Sequence, residues 1–153
     1  IKRERANLLV LALSSLLIRA GERVALLGTG MVPASDRGVL NRMWTWIEDG
    51  CSYPASLPRQ SLLPRNSAVV MVGDFLSSIE EIVESIEGFA LRGLSGHLVQ
   101  VLDPAEERLP YKGRVIFEGP ESEGKALVSN VESVRREYII ELAKHRDKIK
   151  KRC

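Results

Sequence analysis

The run Val69-Val70-Met71-Val72, closed by Gly73-Asp74, is the feature that most limits how this chain can fold. An uncharged, β-branched stretch of this kind, bounded by turn residues, predicts a strand buried on both faces, as strands of a parallel sheet read. Parallel strands are joined by crossover connections, usually helices. The sequence supplies segments of helical period on either side of the run.

From about Lys2 to Ala20, apolar residues recur at Ala6, Leu9, Val10, Leu13, Leu16, Leu17 and Ala20, which predicts a helix stopped by Gly21. Leu8, Leu11, Ala12 and Ile18 widen its stripe almost all the way round, so more than one neighbour is expected to cover it. Arg23 to Leu27 reads as a buried strand. Asp36 to Asp49 predicts a helix with Val39, Leu40, Met43, Trp44 and Ile47 inward and Gly50 beyond its end. Residues 51–67, with Pro54, Pro58 and Pro64, read as a long irregular connection. After the run, Ser78 to Leu91 predicts a helix opened by a capping box, Ser77-x-x-Glu80, and stopped by Gly93. His97 to Leu102 and Arg114 to Phe117 read as strands. A terminal helix from Val131 to about Lys151 follows, opened by Ser129-x-x-Glu132. The order α-β-α-β-α-β-β-α predicts an α/β fold, a mostly parallel sheet with helices on both faces, in a single domain over 1–153.

At 153 residues and 44% hydrophobic content, the chain can bury roughly 70% of its unfolded surface without staples. Twenty-two basic against 20 acidic residues give a formal charge of +2, and few aromatics lie among the basic ones, which argues against a dedicated nucleic-acid groove. Lys144, Arg146, Lys148, Lys150, Lys151 and Arg152 gather at the end, as a solvated helix terminus does. Cys51 and Cys153 have no metal-ligand spacing, and free thiols in a reducing compartment are the simplest reading. The apolar stretch Leu8 to Ile18 is too short for a membrane span, and no small-residue cleavage site follows it, so a cytoplasmic protein is expected.

Asp74 is the leading candidate site residue. It sits at the carboxyl end of the predicted strand, the edge where open α/β sheets bind ligands. A turn role, accepting backbone amides, is the competing reading. Asp103 ends the next strand, but Asp103-Pro104-Ala105-Glu106 also reads as a helix start, and that structural reading is the stronger. If both acids bound a cation, metal-assisted hydrolysis of a phosphoester would be the alternative function. Gly28-Thr29-Gly30 lacks the third glycine of a dinucleotide fingerprint, and His97 and His145 have no arranged nucleophile or acidic partner. No catalytic residue is assigned.

Several stretches together carry a resemblance: Lys2-Arg3-Glu4-Arg5-Ala6, Gly21-Glu22-Arg23-Val24-Ala25-Leu26-Leu27, Val72-Gly73-Asp74-Phe75-Leu76, and His97 through Asp103-Pro104-Ala105-Glu106-Glu107. Gly113-Arg114-Val115-Ile116-Phe117-Glu118-Gly119 and the Tyr138 to His145 helix continue it. The chain resembles the bacterial domain of unknown function 58 family, whose domain is similar to von Willebrand factor type A domains. The resemblance implies a von Willebrand A-like, Rossmann-like three-layer fold, here N-terminally incomplete and lacking the first central strand. By position, Asp74 matches the last aspartate of the metal-ion-dependent adhesion site. The Asp-x-Ser-x-Ser motif of that site is absent, and neither Thr29 nor Thr45 falls where its threonine is expected. The resemblance further implies Mg²⁺ or Mn²⁺ for a complete protein and no cofactor for these residues alone. The family's frequent pairing with MoxR-type AAA+ ATPases implies a non-enzymatic adaptor role in protein assembly or metal-centre insertion, with the strand-end loops near Asp74 as the partner-binding surface. Pairing with a second chain, as a homo-oligomer, is expected to cover strand edges left open.

Overall fold

The computed structural model describes residues 2–49, 63–64, 66–118 and 124–153. The expected connection over 51–67, and Cys51 with it, lies largely outside these. The chain divides into two compact units, Ile1–Val101 and Leu102–Cys153.

In the first unit, α1 (Lys2–Arg19) ends as its glycine predicts. Gly21 takes φ +86°, its amide donates to the Ile18 carbonyl, and the Glu22 amide reaches the Leu17 carbonyl at 2.9 Å. That pair of bonds is a Schellman motif, and it satisfies carbonyls the helix leaves over. The helix contacts α2 (Gly38–Glu48) and β1 (Ala68–Gly73), yet its burial departs from expectation. Ser14 is its buried residue, whereas Leu8 and Leu16 are 67% and 61% exposed. In α2, Val39 and Met43 are buried as expected, but Trp44 is half exposed.

The expected strand over Arg23 to Leu27 is not formed. Val24 makes only an isolated antiparallel bridge to Ala34, exchanging bonds of 2.9 and 3.1 Å. The next hydrogen-bonded pair of such a ladder would use Leu26, whose carbonyl instead accepts the Thr29 hydroxyl at 2.8 Å. Gly28 and Gly30, both at positive φ, turn the chain back there.

The run from Val69 to Val72 lies in β1, and with α3 (Ile79–Ala90) and β2 (Ser95–Gln100) it forms a parallel β-α-β unit, registered from Ala68 opposite Ser95 to Gly73 opposite Gln100; Val69 alone of the run is buried and Val70 is exposed, so the strand is not covered on both faces as expected. The sheet has these two strands only among the described residues. The cap of α3 is one residue later than the predicted box: Ser78, not Ser77, accepts the Glu81 amide, because the first helical residue is Ile79. Gly93, at φ +70°, leads directly into β2, which therefore starts two residues before His97. Val69, Ile82, Phe75 and Phe89 join Val39 and Met43 as the buried apolar side chains of this unit.

The second unit holds α4 (Pro104–Arg108), an antiparallel hairpin of β3 (Val115–Glu118) and β4 (Lys125–Val128), and α5 (Val131–Lys150). β4 is a strand the sequence pattern does not announce, since Lys125-Ala126-Leu127-Val128 is short and mostly exposed. The cap of α5 is Asn130, which accepts the Ser133 amide; Glu132 turns elsewhere, so Ser129-x-x-Glu132 is not a capping box. Arg135 ties α5 to the segment before the hairpin by donating to the Leu109 and Tyr111 carbonyls, and Tyr138 donates to that of Glu106. Leu109, Val131, Leu142 and Ile149 are buried.

Candidate functional site

β1 ends at Gly73, whose carbonyl accepts the Val101 amide at 2.8 Å and holds the strand end against the chain leaving β2. The next residue, Asp74, is fixed from three directions. Its Oδ1 accepts the Leu76 amide at 3.3 Å, an Asx turn. Its main-chain carbonyl accepts Nε2 of Gln100 at 2.7 Å. Its Oδ2 lies 3.0 Å from Nζ of Lys2, with Lys2 and Asp74 side chains 31% and 41% exposed. Phe75 follows at φ +50°, a left-handed conformation that a bulky residue adopts only when its surroundings hold it there, and its side chain is buried. Leu76 then points out, 43% exposed.

The turn role of Asp74 is thus present, and the helix cap belongs to Ser78. Lys2 and Gln100 are members of this cluster that sequence reasoning missed. Gln100 had a signal, an amide-bearing residue inside the apolar strand Leu98-Val99-Gln100-Val101. Lys2 had none, being 72 positions from its partner.

Asp103 belongs to the second unit and performs the structural task its context suggests. Its Oδ1 accepts the Ala105 amide at 2.8 Å while Glu106 reaches back to the Asp103 amide at 3.0 Å, a complete capping box with Pro104 in the first turn. His97 is exposed on β2, and His145 is half buried on α5. Thr29 is spent on the turn after Leu26, and Thr45 is exposed on α2. In the basic tail, Lys144 pairs with Glu141 and Arg146 with Glu107; Cys153 is a free, exposed thiol.

Mg²⁺ takes near-octahedral oxygen coordination, with at least one or two carboxylates committed to it. At Asp74 the cation in place is the Lys2 ammonium, and among the described residues no three His, Cys, Asp or Glu side chains are grouped to hold a metal ion. The described residues do not fit the divalent cation that the resemblance implies. What the arrangement does offer is a hydrogen-bonded strand end on which a half-exposed ion pair and an exposed leucine stand two residues apart. No helix of the described residues is long and apolar enough to cross a membrane.

Compared with known families, residues 1–148 match the family described as "Protein of unknown function DUF58". No curated protein and no solved structure matches the chain significantly.

Proposed function

The chain belongs to the DUF58 family, and on that premise we propose that it is a non-enzymatic protein-interaction domain that docks partners through the loop Asp74-Phe75-Leu76. The observation that carries this reading is the bonding of that loop: an Asx turn, an amide hydrogen bond from Gln100 and a buried Phe75 at positive φ set how Asp74 and Leu76 are presented. A presentation set before binding lowers the ordering cost, and charge beside an exposed aliphatic side chain provides both register and apolar contact. The partner class is a MoxR-type AAA+ ATPase and the process is protein assembly or metal-centre insertion, within a von Willebrand A-like scheme. The alternative, a metal-assisted phosphoester hydrolase, is weakened because Asp103 serves as a helix cap and Asp74 pairs with Lys2.

The test is calorimetric titration of the chain with a purified MoxR-type AAA+ ATPase. Asp74→Ala and Leu76→Asp are each expected to weaken binding by about tenfold or more, equivalent to ~1.4 kcal/mol, with the circular dichroism spectrum unchanged. Binding indifferent to both substitutions would overturn the docking site. Turnover of a phosphoester that needs Mg²⁺ and disappears in Asp74→Ala would replace the reading with the hydrolase.

A further inference from the structure

The carboxylate at the end of β1 divides its bonds between two tasks. Oδ1 of Asp74 accepts the Leu76 amide and builds the turn, while the Asp74 main-chain carbonyl accepts Nε2 of Gln100. Oδ2 serves neither bond; it accepts the Lys2 ammonium, 3.0 Å away and 72 positions off along the chain. Exchanging the cation at Oδ2 therefore leaves in place both bonds that set the loop. With the Lys2 and Asp74 side chains 31% and 41% exposed, water and an incoming group both reach the pair, and ion pairs this open hold each other weakly.

Resting on the reading that this loop docks a partner, we propose that Asp74 receives a cationic side chain of that partner directly, an arginine in preference to a lysine, and that Lys2 is its built-in competitor. The cation already on the carboxylate selects the sign of the charge. A divalent metal there would present open coordination positions and require an oxygen ligand from the partner, whereas a carboxylate bonded to an ammonium requires a base. Among the described residues no three metal-ligating side chains are grouped, and the bond made at Oδ2 is the one an organic cation makes. Arginine is preferred because its planar fork bonds both oxygens of a carboxylate at once, and Oδ1 and Oδ2 each keep a second lone pair beside their present bonds. Lys2 opposes it by position and by like charge. Leu76, 43% exposed and two residues on, supplies an apolar contact for the arginine stem.

The test is an amide NMR titration of the chain with two peptides that differ in one side chain, acetyl-Leu-Arg-Leu-amide and acetyl-Leu-Glu-Leu-amide, each in Mg²⁺ and in chelator. The arginine peptide is expected to shift the Phe75 and Leu76 amides equally in both conditions, and the glutamate peptide to shift neither. Lys2→Met removes the competing charge and is expected to tighten the arginine peptide by about threefold, the worth of an exposed ion pair. Asp74→Asn keeps an oxygen for the Leu76 amide and loses the charge, so it is expected to weaken that peptide by a similar factor. Should Lys2→Met fail to fold, as judged by circular dichroism, the parent chain and Asp74→Asn still decide. No arginine titration, arginine binding indifferent to Asp74→Asn, or glutamate binding that needs Mg²⁺ would each overturn the inference; a folded Lys2→Met that binds no tighter would remove Lys2 as competitor. The docking reading fails separately. If the MoxR-type ATPase ignores Asp74→Ala and Leu76→Asp, that reading falls whatever the peptides do; if both variants weaken the ATPase while the arginine peptide does not titrate, the loop docks but not through a cation.

Discussion

The carboxylate of Glu132 accepts the Gly113 amide at 2.8 Å, and this bond, more than its own backbone amide or the charges of Arg135 and Lys112, holds its pKa below the ordinary glutamate value. A carboxyl group depressed in the folded state contributes stability above its unfolded pKa and loses it as pH falls through the folded one. The melting temperature is therefore expected to fall below about pH 4.5, with Glu132→Gln giving a flatter profile over that window. A carbon-detected NMR titration checks the cause directly: a Glu132 midpoint at or above the ordinary value would remove it. Glu132 also marks the limit of motif reading. Ser129-x-x-Glu132 has the spacing of a capping box, but Asn130 lies one residue closer to the first turn and takes the cap, which frees Glu132 for a partner 19 positions away. Asp103 was legible because both its bonds stay within three residues of it. Asp74 was legible as a strand end, while its ion partner Lys2 was not, because nothing local specifies a contact across 72 residues.

At the scale of elements, the β-α-β unit is the part of the fold most completely written in the sequence. The apolar run, the helical period from Ile79 and the stop at Gly93 each depend on neighbours a few residues apart. Its tightest point is Gly96, where an added Cβ would meet the Val69 carbonyl oxygen at 2.2 Å and its carbon at 3.1 Å. Gly96→Ala must push the two strands apart and is expected to destabilise the chain by about 1–3 kcal/mol, the usual cost of overpacking. Urea denaturation measures this, and a variant as stable as the parent would mean that β1 and β2 are not held at this distance. The segment near Val24 shows the opposite case. Its composition suits a strand, yet a strand exists only where a second one offers a ladder, and Thr29 takes the Leu26 carbonyl that such a ladder would need.

For the whole molecule, metal binding is the property on which family resemblance and geometry part. A cation at a hundred times its dissociation constant would add ~2.7 kcal/mol, a rise of roughly 5–10 °C for a chain of this size. With Lys2 on Asp74 and no ligand trio among the described residues, Mg²⁺ and Mn²⁺ are expected to leave the melting temperature unchanged. A rise that Asp74→Ala abolishes would place a metal at Asp74 after all. By itself the sequence determined the α/β class, the parallel unit around Val69–Val72, the helix ends at Gly21 and Gly93 and the cap at Asp103. Each rests on hydrogen bonds and steric preferences that act between residues close along the chain. Tertiary structure alone decided that Ser14 is buried while Leu8 and Leu16 face out, and that Lys2 meets Asp74. Periodicity says that a face is apolar, but which neighbour arrives to cover it depends on contacts between distant segments.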